Sequence, residues 1–214
     1  MRASRKLHRA RRVRGGRAIL LRAGDAFTLI EMLSVIAIFV ILTVAVAPAI
    51  TSTIQSSRIG MAAQFVTEEI HAARAAAVAR NKPMELCFLR GTAGVGGFFE
   101  QLAIRSLEQD GGKKWINKNR KLPEGVVISG DSALSPVVGA QTEHSNSRGE
   151  KEVCLLFTPS GEMSLTTVSG DPPQEYYITL GALADLQKAP GVFPTNFATI
   201  RVDPQNSQTT LHRP

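Results

Sequence analysis

Residues 27–50 form a long apolar run with a single charge, Glu31, and nine basic residues stand ahead of it. As a helix these 24 residues reach about 36 Å at roughly 1.5 Å per residue, enough to span a bilayer with some tilt. A carboxylate in such a run is costly, roughly 2–3 kcal/mol at mid-span and less near an end. Glu31 is therefore a functional-site residue in need of a partner. A cut between Ala26 and Phe27 would supply one, because the new α-ammonium would lie four residues before Glu31, in its own chain or a neighbour's.

The charge distribution points to the same cut. Residues 1–26 carry Arg2, Arg5, Lys6, Arg9, Arg11, Arg12, Arg14, Arg17 and Arg22 against one acid, Asp25, a net +8. The remainder keeps 16 of the 25 basic and 17 of the 18 acidic residues, a net −1. The basic balance of the whole chain thus belongs to the leader, and the nucleic-acid reading it invites disappears on processing. A cationic flank before an apolar helix instead holds the N-terminus in the cytoplasm and sends the rest across.

The motif Ala26-Phe27-Thr28-Leu29-Ile30-Glu31 resembles the class III signal of prepilins and pseudopilins, a small residue followed by Phe-Thr-Leu-Ile-Glu. The resemblance implies a prepilin peptidase that cleaves after Ala26 and N-methylates Phe27. It also implies a charge pair between the Phe27 ammonium and Glu31 that guides assembly. Two departures stand out: Gly is usual where Ala26 stands, and the 26-residue leader is long. A cut after Gly24 restores the glycine but moves the acid to the seventh position, so Ala26/Phe27 is retained. Pro48 is the twenty-second residue from Phe27, where many type IV pilins also have a proline; it is either a kink or an ordinary helix stop.

Two other export readings remain open. Arg11-Arg12 is a twin arginine, although Val13-Arg14-Gly15-Gly16 fits such a signal badly. Ala47-Pro48-Ala49 is a small-x-small tripeptide suited to an ordinary signal peptidase, but the apolar run exceeds the usual 7–15 residues and leaves Glu31 unexplained.

After residue 50 the pattern becomes amphipathic. Ile59, Ala63, Val66, Ile70, Ala73 and Ala77 are spaced as one face of an α-helix, with Ala62, Phe65 and Ala76 widening it. Asn81-Lys82-Pro83 reads as its stop. Strand-like pieces then follow at 84–89, 98–104, 126–129, 153–157, 163–168, 176–180, 197–202 and 209–212, separated by turn chemistry such as Thr158-Pro159-Ser160-Gly161. Segments 130–151 and 181–196 read as surface loops. The organisation expected is α+β: a leader at 1–26, a transmembrane helix at 27–50, its amphipathic continuation at 51–82, and one small antiparallel β-rich head at 83–214.

The resemblance extends beyond the signal. The helix end with Arg74, Val78, Ala79, Arg80, Asn81 and Pro83, then Phe157-Thr158-Pro159-Ser160-Gly161 and Ala198-Thr199-Ile200-Arg201-Val202-Asp203-Pro204, is similar to minor pseudopilins of the GspH/FimT type. It most resembles the Verru_Chthon cassette D-like branch. The resemblance implies a structural subunit of a type II secretion or type IV pilus machine. Its partners would be other pilin or pseudopilin subunits, the peptidase and an inner-membrane assembly platform. It would be single-pass in the inner membrane with a periplasmic head.

Catalytic chemistry has little footing. His8, His71, His144 and His212 are scattered, and no His-x-x-x-His, Cys-x-x-Cys or phosphate fingerprint occurs. Gly94–97 lacks the Lys-Ser/Thr of a phosphate loop, and Ser160 is a turn serine. No enzyme activity, cofactor or metal is expected. Cys87 and Cys154, both in strand-like pieces, are either a disulfide of an oxidising compartment or two small buried residues. Lys113, Lys114, Trp115, Lys118, Arg120 and Lys121 gather five bases around the sole tryptophan. They would either grip phosphates and stack a base or form a solvated loop with Trp115 folded onto the sheet; the −1 mature charge disfavours nucleic acid.

Overall fold

The computed structural model describes residues 27–91, 97–108, 110–117, 119–146, 149–165 and 175–213, without the side chains of 45–50. It is an α+β chain. The first helix, α1, spans Leu29–Arg80 and runs through Pro48. Compactness divides the chain between Val46 and Ala47.

In the first unit every described side chain from Phe27 to Val44 is exposed; Leu29 is 82% and Phe39 71% accessible. Among the described residues no helix is long and apolar enough to cross a membrane.

In the second unit, α1 from residue 51 buries the face its spacing predicts: Ile59, Ala63, Val66, Ile70, Ala73 and Ala77 are all inaccessible. The helix ends where Asn81 turns left-handed, at φ 49°, a conformation that asparagine tolerates. The Lys82 N–H then bonds the Ala77 carbonyl at 3.2 Å, the long return bond of a Schellman end. Pro83 follows.

Two antiparallel sheets receive that face. The first is ordered β4 (Lys113–Trp115), β3 (Gln101–Leu107), β1 (Met84–Leu89), β8 (Lys151–Phe157), β7 (His144–Ser145), with β5 (Arg120–Lys121) on β3 and β9 (Met163–Ser164) on β8. The second is ordered β12 (Thr209–His212), β11 (Phe197–Val202), β10 (Tyr177–Ala182), β6 (Val126–Ser129), β2 (Phe98–Phe99). Alternation puts Leu86, Phe88, Leu102, Ile104, Leu155 and Phe157 from one sheet, and Ile128, Ile178, Leu180 and Ile200 from the other, into one core with α1. Fully burying such side chains contributes roughly 1.5–3 kcal/mol each.

Several readings change. The strand expected over 98–104 is two strands in different sheets, β2 and β3, parted at Glu100. The loop at 130–151 contains a short helix α2 (Pro136–Gly139) and β7, and 181–196 contains the end of β10 and α3 (Leu183–Lys188). These elements escaped notice because they are too short to show periodicity. Residues 166–168 of the expected strand lie outside the described residues.

The C-terminus is tied to α1. Arg213 Nη2 donates to the Ser56 carbonyl at 2.9 Å and to its hydroxyl at 2.7 Å. A Cβ on Gly60 would come within 2.8 Å of Arg213 Nη1, so glycine leaves room for the guanidinium to lie across the helix.

Candidate functional site

The residues of the N-terminal motif meet at the start of α1. Thr28 precedes the first helical residue, and its N–H and hydroxyl both donate to Glu31 Oε2 at 2.9 Å. The Glu31 N–H donates back to Thr28 Oγ1 at 3.3 Å. This reciprocal pair is a capping box, which satisfies backbone N–H groups that a helix start leaves orphaned. The acid also lies where the helix dipole favours negative charge. The signal was present in the sequence, since Thr28-Leu29-Ile30-Glu31 has the Thr-x-x-Glu spacing, but Thr28 was read only as part of a processing motif. The side chains of Phe27, Leu29 and Ile30 are covered by no other part of the described chain, while Ala26 lies outside the described residues. Pro48 sits inside α1 with its side chain undescribed.

Cys87 on β1 and Cys154 on β8 stand directly opposite in the register and are disulfide-bonded, with Cα atoms 4.0 Å apart. Above this bond lies an ion network that the sequence reading missed. Arg105 on β3 is almost inaccessible; its Nε donates to Glu85 on β1, its Nη1 to Glu152 Oε1 on β8 at 2.6 Å, and its Nη2 lies 3.3 Å from Cys154 Sγ. The carboxylates lie 20 and 47 residues from Arg105 in sequence, so no local pattern announces them.

The basic cluster is not a free patch. Arg120 pairs with the buried Glu69 of α1 and lies over the Phe65 ring at 4.4 Å. Asn117 donates to the same Glu69 at 3.2 Å and accepts from the Ile104 N–H at 2.7 Å, fastening the connection between β4 and β5 to the helix. Lys113 Nζ lies 3.5 Å from Glu85, and the Arg105 guanidinium stacks 5.1 Å from the Trp115 ring centroid. Lys114 and Lys121 are exposed, and Lys118 lies outside the described residues. The segment read as a loop contains β4 and β5; two of its cations are paired with carboxylates and one face of Trp115 is covered.

At the far end of α1, Lys82 Nζ reaches Glu108 Oε2 at 2.6 Å. This hydrogen bond, aided by one from Ser106, holds the Glu108 carboxyl below its ordinary range.

No family model and no curated protein matches this chain. Among solved structures it is similar to the minor pseudopilin EpsH from the type 2 secretion system of Vibrio cholerae in two determinations. One is 12% identical over 73% of this chain and 98% of that one, the other 18% identical over 74% and 96%, each with a TM-score of 0.43. Likeness at that level establishes neither fold nor function.

Proposed function

We propose that this chain is a pilin-like structural subunit, a minor pseudopilin of the GspH/FimT type, in a type II secretion or type IV pilus machine. The single observation that carries the reading is the Phe27-Thr28-Leu29-Ile30-Glu31 start of an apolar segment whose side chains from Phe27 to Val44 are all exposed. Such a surface is stable only in lipid or against other apolar helices. The head, by contrast, buries its own core.

In this reading a prepilin peptidase removes residues 1–26 and methylates Phe27. Residues 27–50 then anchor the subunit in the inner membrane, with residues 51–82 continuing the helix and the head in the periplasm. Recruitment through the assembly platform brings it against other pilin or pseudopilin subunits. Glu31 exchanges its Thr28 bonds for an α-ammonium, its own or a neighbour's, as the helix enters the filament. The chain needs no active site, because a cytoplasmic ATPase drives such machines.

Substitution of Glu31 tests this role. Glu31→Gln should insert into the membrane as well as the wild type, since removing a charge eases partition. It should nevertheless lose most crosslinks to partner subunits. Normal crosslinking of Glu31→Gln would contradict the charge-pair role.

A further inference from the structure

Just past the apolar run, a groove of about 610 Å³ opens on the second unit, a volume in the range of small-ligand sites. Thr51, Ile54 and Arg58 line it from α1, Glu124 from the turn before β6, and Val126 and Leu183 from β6 and α3. The wall is apolar at Ile54, which is 48% accessible, and charged at Arg58 and Glu124, both exposed. Arg58 uses one of its five donors in a long hydrogen bond, Nη1 to the Glu124 carbonyl at 3.4 Å. Neither the Arg58 guanidinium nor the Glu124 carboxylate enters an ion pair among the described residues. One unpaired cation and one unpaired anion therefore border the same groove.

The height of the groove follows from helix geometry. Arg58 stands eight residues past Ile50, the last of the apolar run, which is about 12 Å at roughly 1.5 Å per residue. Helical side chains lean toward the N-terminus, so a long arginine reaches back about one turn, to roughly 7 Å beyond the run. The polar layer on each side of a bilayer is roughly 5–8 Å deep. With residues 27–50 embedded, the groove opens at the level of the lipid headgroups.

We infer that this groove holds the headgroup of a phospholipid that carries both a phosphate and a primary ammonium, a phosphoethanolamine headgroup. The inference rests on the membrane-anchored reading above. The guanidinium fork of Arg58 matches two phosphate oxygens, and the ammonium donates to the Glu124 carboxylate. An anionic headgroup without an ammonium would set further negative charge beside Glu124. A quaternary ammonium has no N–H to donate. The glycerol and first methylenes lie against Ile54, Val126 and Leu183. The rival occupant, an apolar helix of a second subunit, would suit that wall but would take Arg58 and Glu124 from water without bringing counter-charges, which is costly.

The full chain is reconstituted in nanodiscs of equal parts phosphatidylethanolamine and phosphatidylcholine with identical acyl chains. It is then released into uncharged detergent, and the lipids that stay bound are counted by native mass spectrometry. Both lipids are zwitterions, so the +8 leader favours neither. The expected result is one retained lipid, with phosphatidylethanolamine preferred about tenfold, as one hydrogen bond between charged groups allows. Arg58→Ala should lower retention of both lipids by a similar factor, and Glu124→Gln should erase most of the preference while a lipid is still retained. Lys114→Ala, which removes an exposed cation outside the groove, should change nothing. Both groove side chains are exposed, so neither substitution opens the core. Absence of a retained lipid, equal retention of the two by the wild type, or undiminished retention by Arg58→Ala would overturn the inference. Undiminished retention together with lost crosslinks to neighbouring subunits would assign the groove to a protein instead. A chain absent from the membrane fraction would defeat the anchor and this inference together, whereas a membrane-bound chain without the preference would defeat this inference alone.

Discussion

Glu31 accepts two hydrogen bonds from Thr28, through the backbone N–H and the hydroxyl, and returns one from its own N–H. The acid at the head of the apolar helix is therefore satisfied within its own first turn before any ammonium is offered to it. Thr28 is thus the N-cap of α1.

Thr28→Ala removes the cap. Loss of such a cap costs about 1 kcal/mol, within a range of roughly 0.5–2. Amide hydrogen exchange over residues 29–32 should speed up correspondingly in detergent, while Thr28→Ser should restore protection. Unchanged exchange in Thr28→Ala would mean that the capping box does not hold the first turn.

The Cys87–Cys154 disulfide closes a loop of 67 residues. In the chain-entropy account this constrains the unfolded state by roughly 4 kcal/mol. Cys87→Ala with Cys154→Ala should lower the stability of the head by an amount of that order, read as a lower denaturation midpoint with a steeper slope, because the unfolded chain is no longer cross-linked. An unaltered midpoint would show that the bond contributes nothing beyond the packing of β1 on β8.

Glu108 supplies a pH dependence whose sign follows from its surroundings. Its folded pKa is depressed, chiefly by the hydrogen bond from Lys82. The unfolded state therefore binds the proton more readily, and the contribution is fully present above the unfolded value of about 4.3. It is lost as pH falls through the folded value. Glu108→Gln should lose that contribution near neutrality and flatten the stability profile in the acidic window, so that the two proteins converge at low pH, as thermal melts across pH would show. A profile identical to the wild type would remove Glu108 from the account of acid stability.

Much of the helix was legible, and for a physical reason. The positions Ile59 through Ala77 repeat with a 3.6-residue period against a single core, and Asn81-Lys82-Pro83 gives the backbone a left-handed residue followed by a residue that cannot continue the helix. The strands flanking Thr158-Pro159-Ser160-Gly161, and the final pair β11 and β12, announced themselves by turn chemistry. What stayed hidden depends on partners distant in sequence. Arg105 reads as a surface residue until Glu85 and Glu152 are brought to it across β1 and β8. Glu69 reads as the polar side of a helix until Arg120 and Asn117 close over it. The change of sheet at Glu100 left no mark either, because β2 is only two residues long and too short to show a period.

The central claim, a prepilin-type subunit, is tested most directly by the N-terminus of the protein recovered from cells. Mass spectrometry of the membrane fraction should find a chain beginning at N-methylated Phe27, and deletion of the prepilin peptidase should leave the +8 leader attached. A mature chain beginning at Ile50 would contradict the claim and mark residues 1–49 as an ordinary secretory signal.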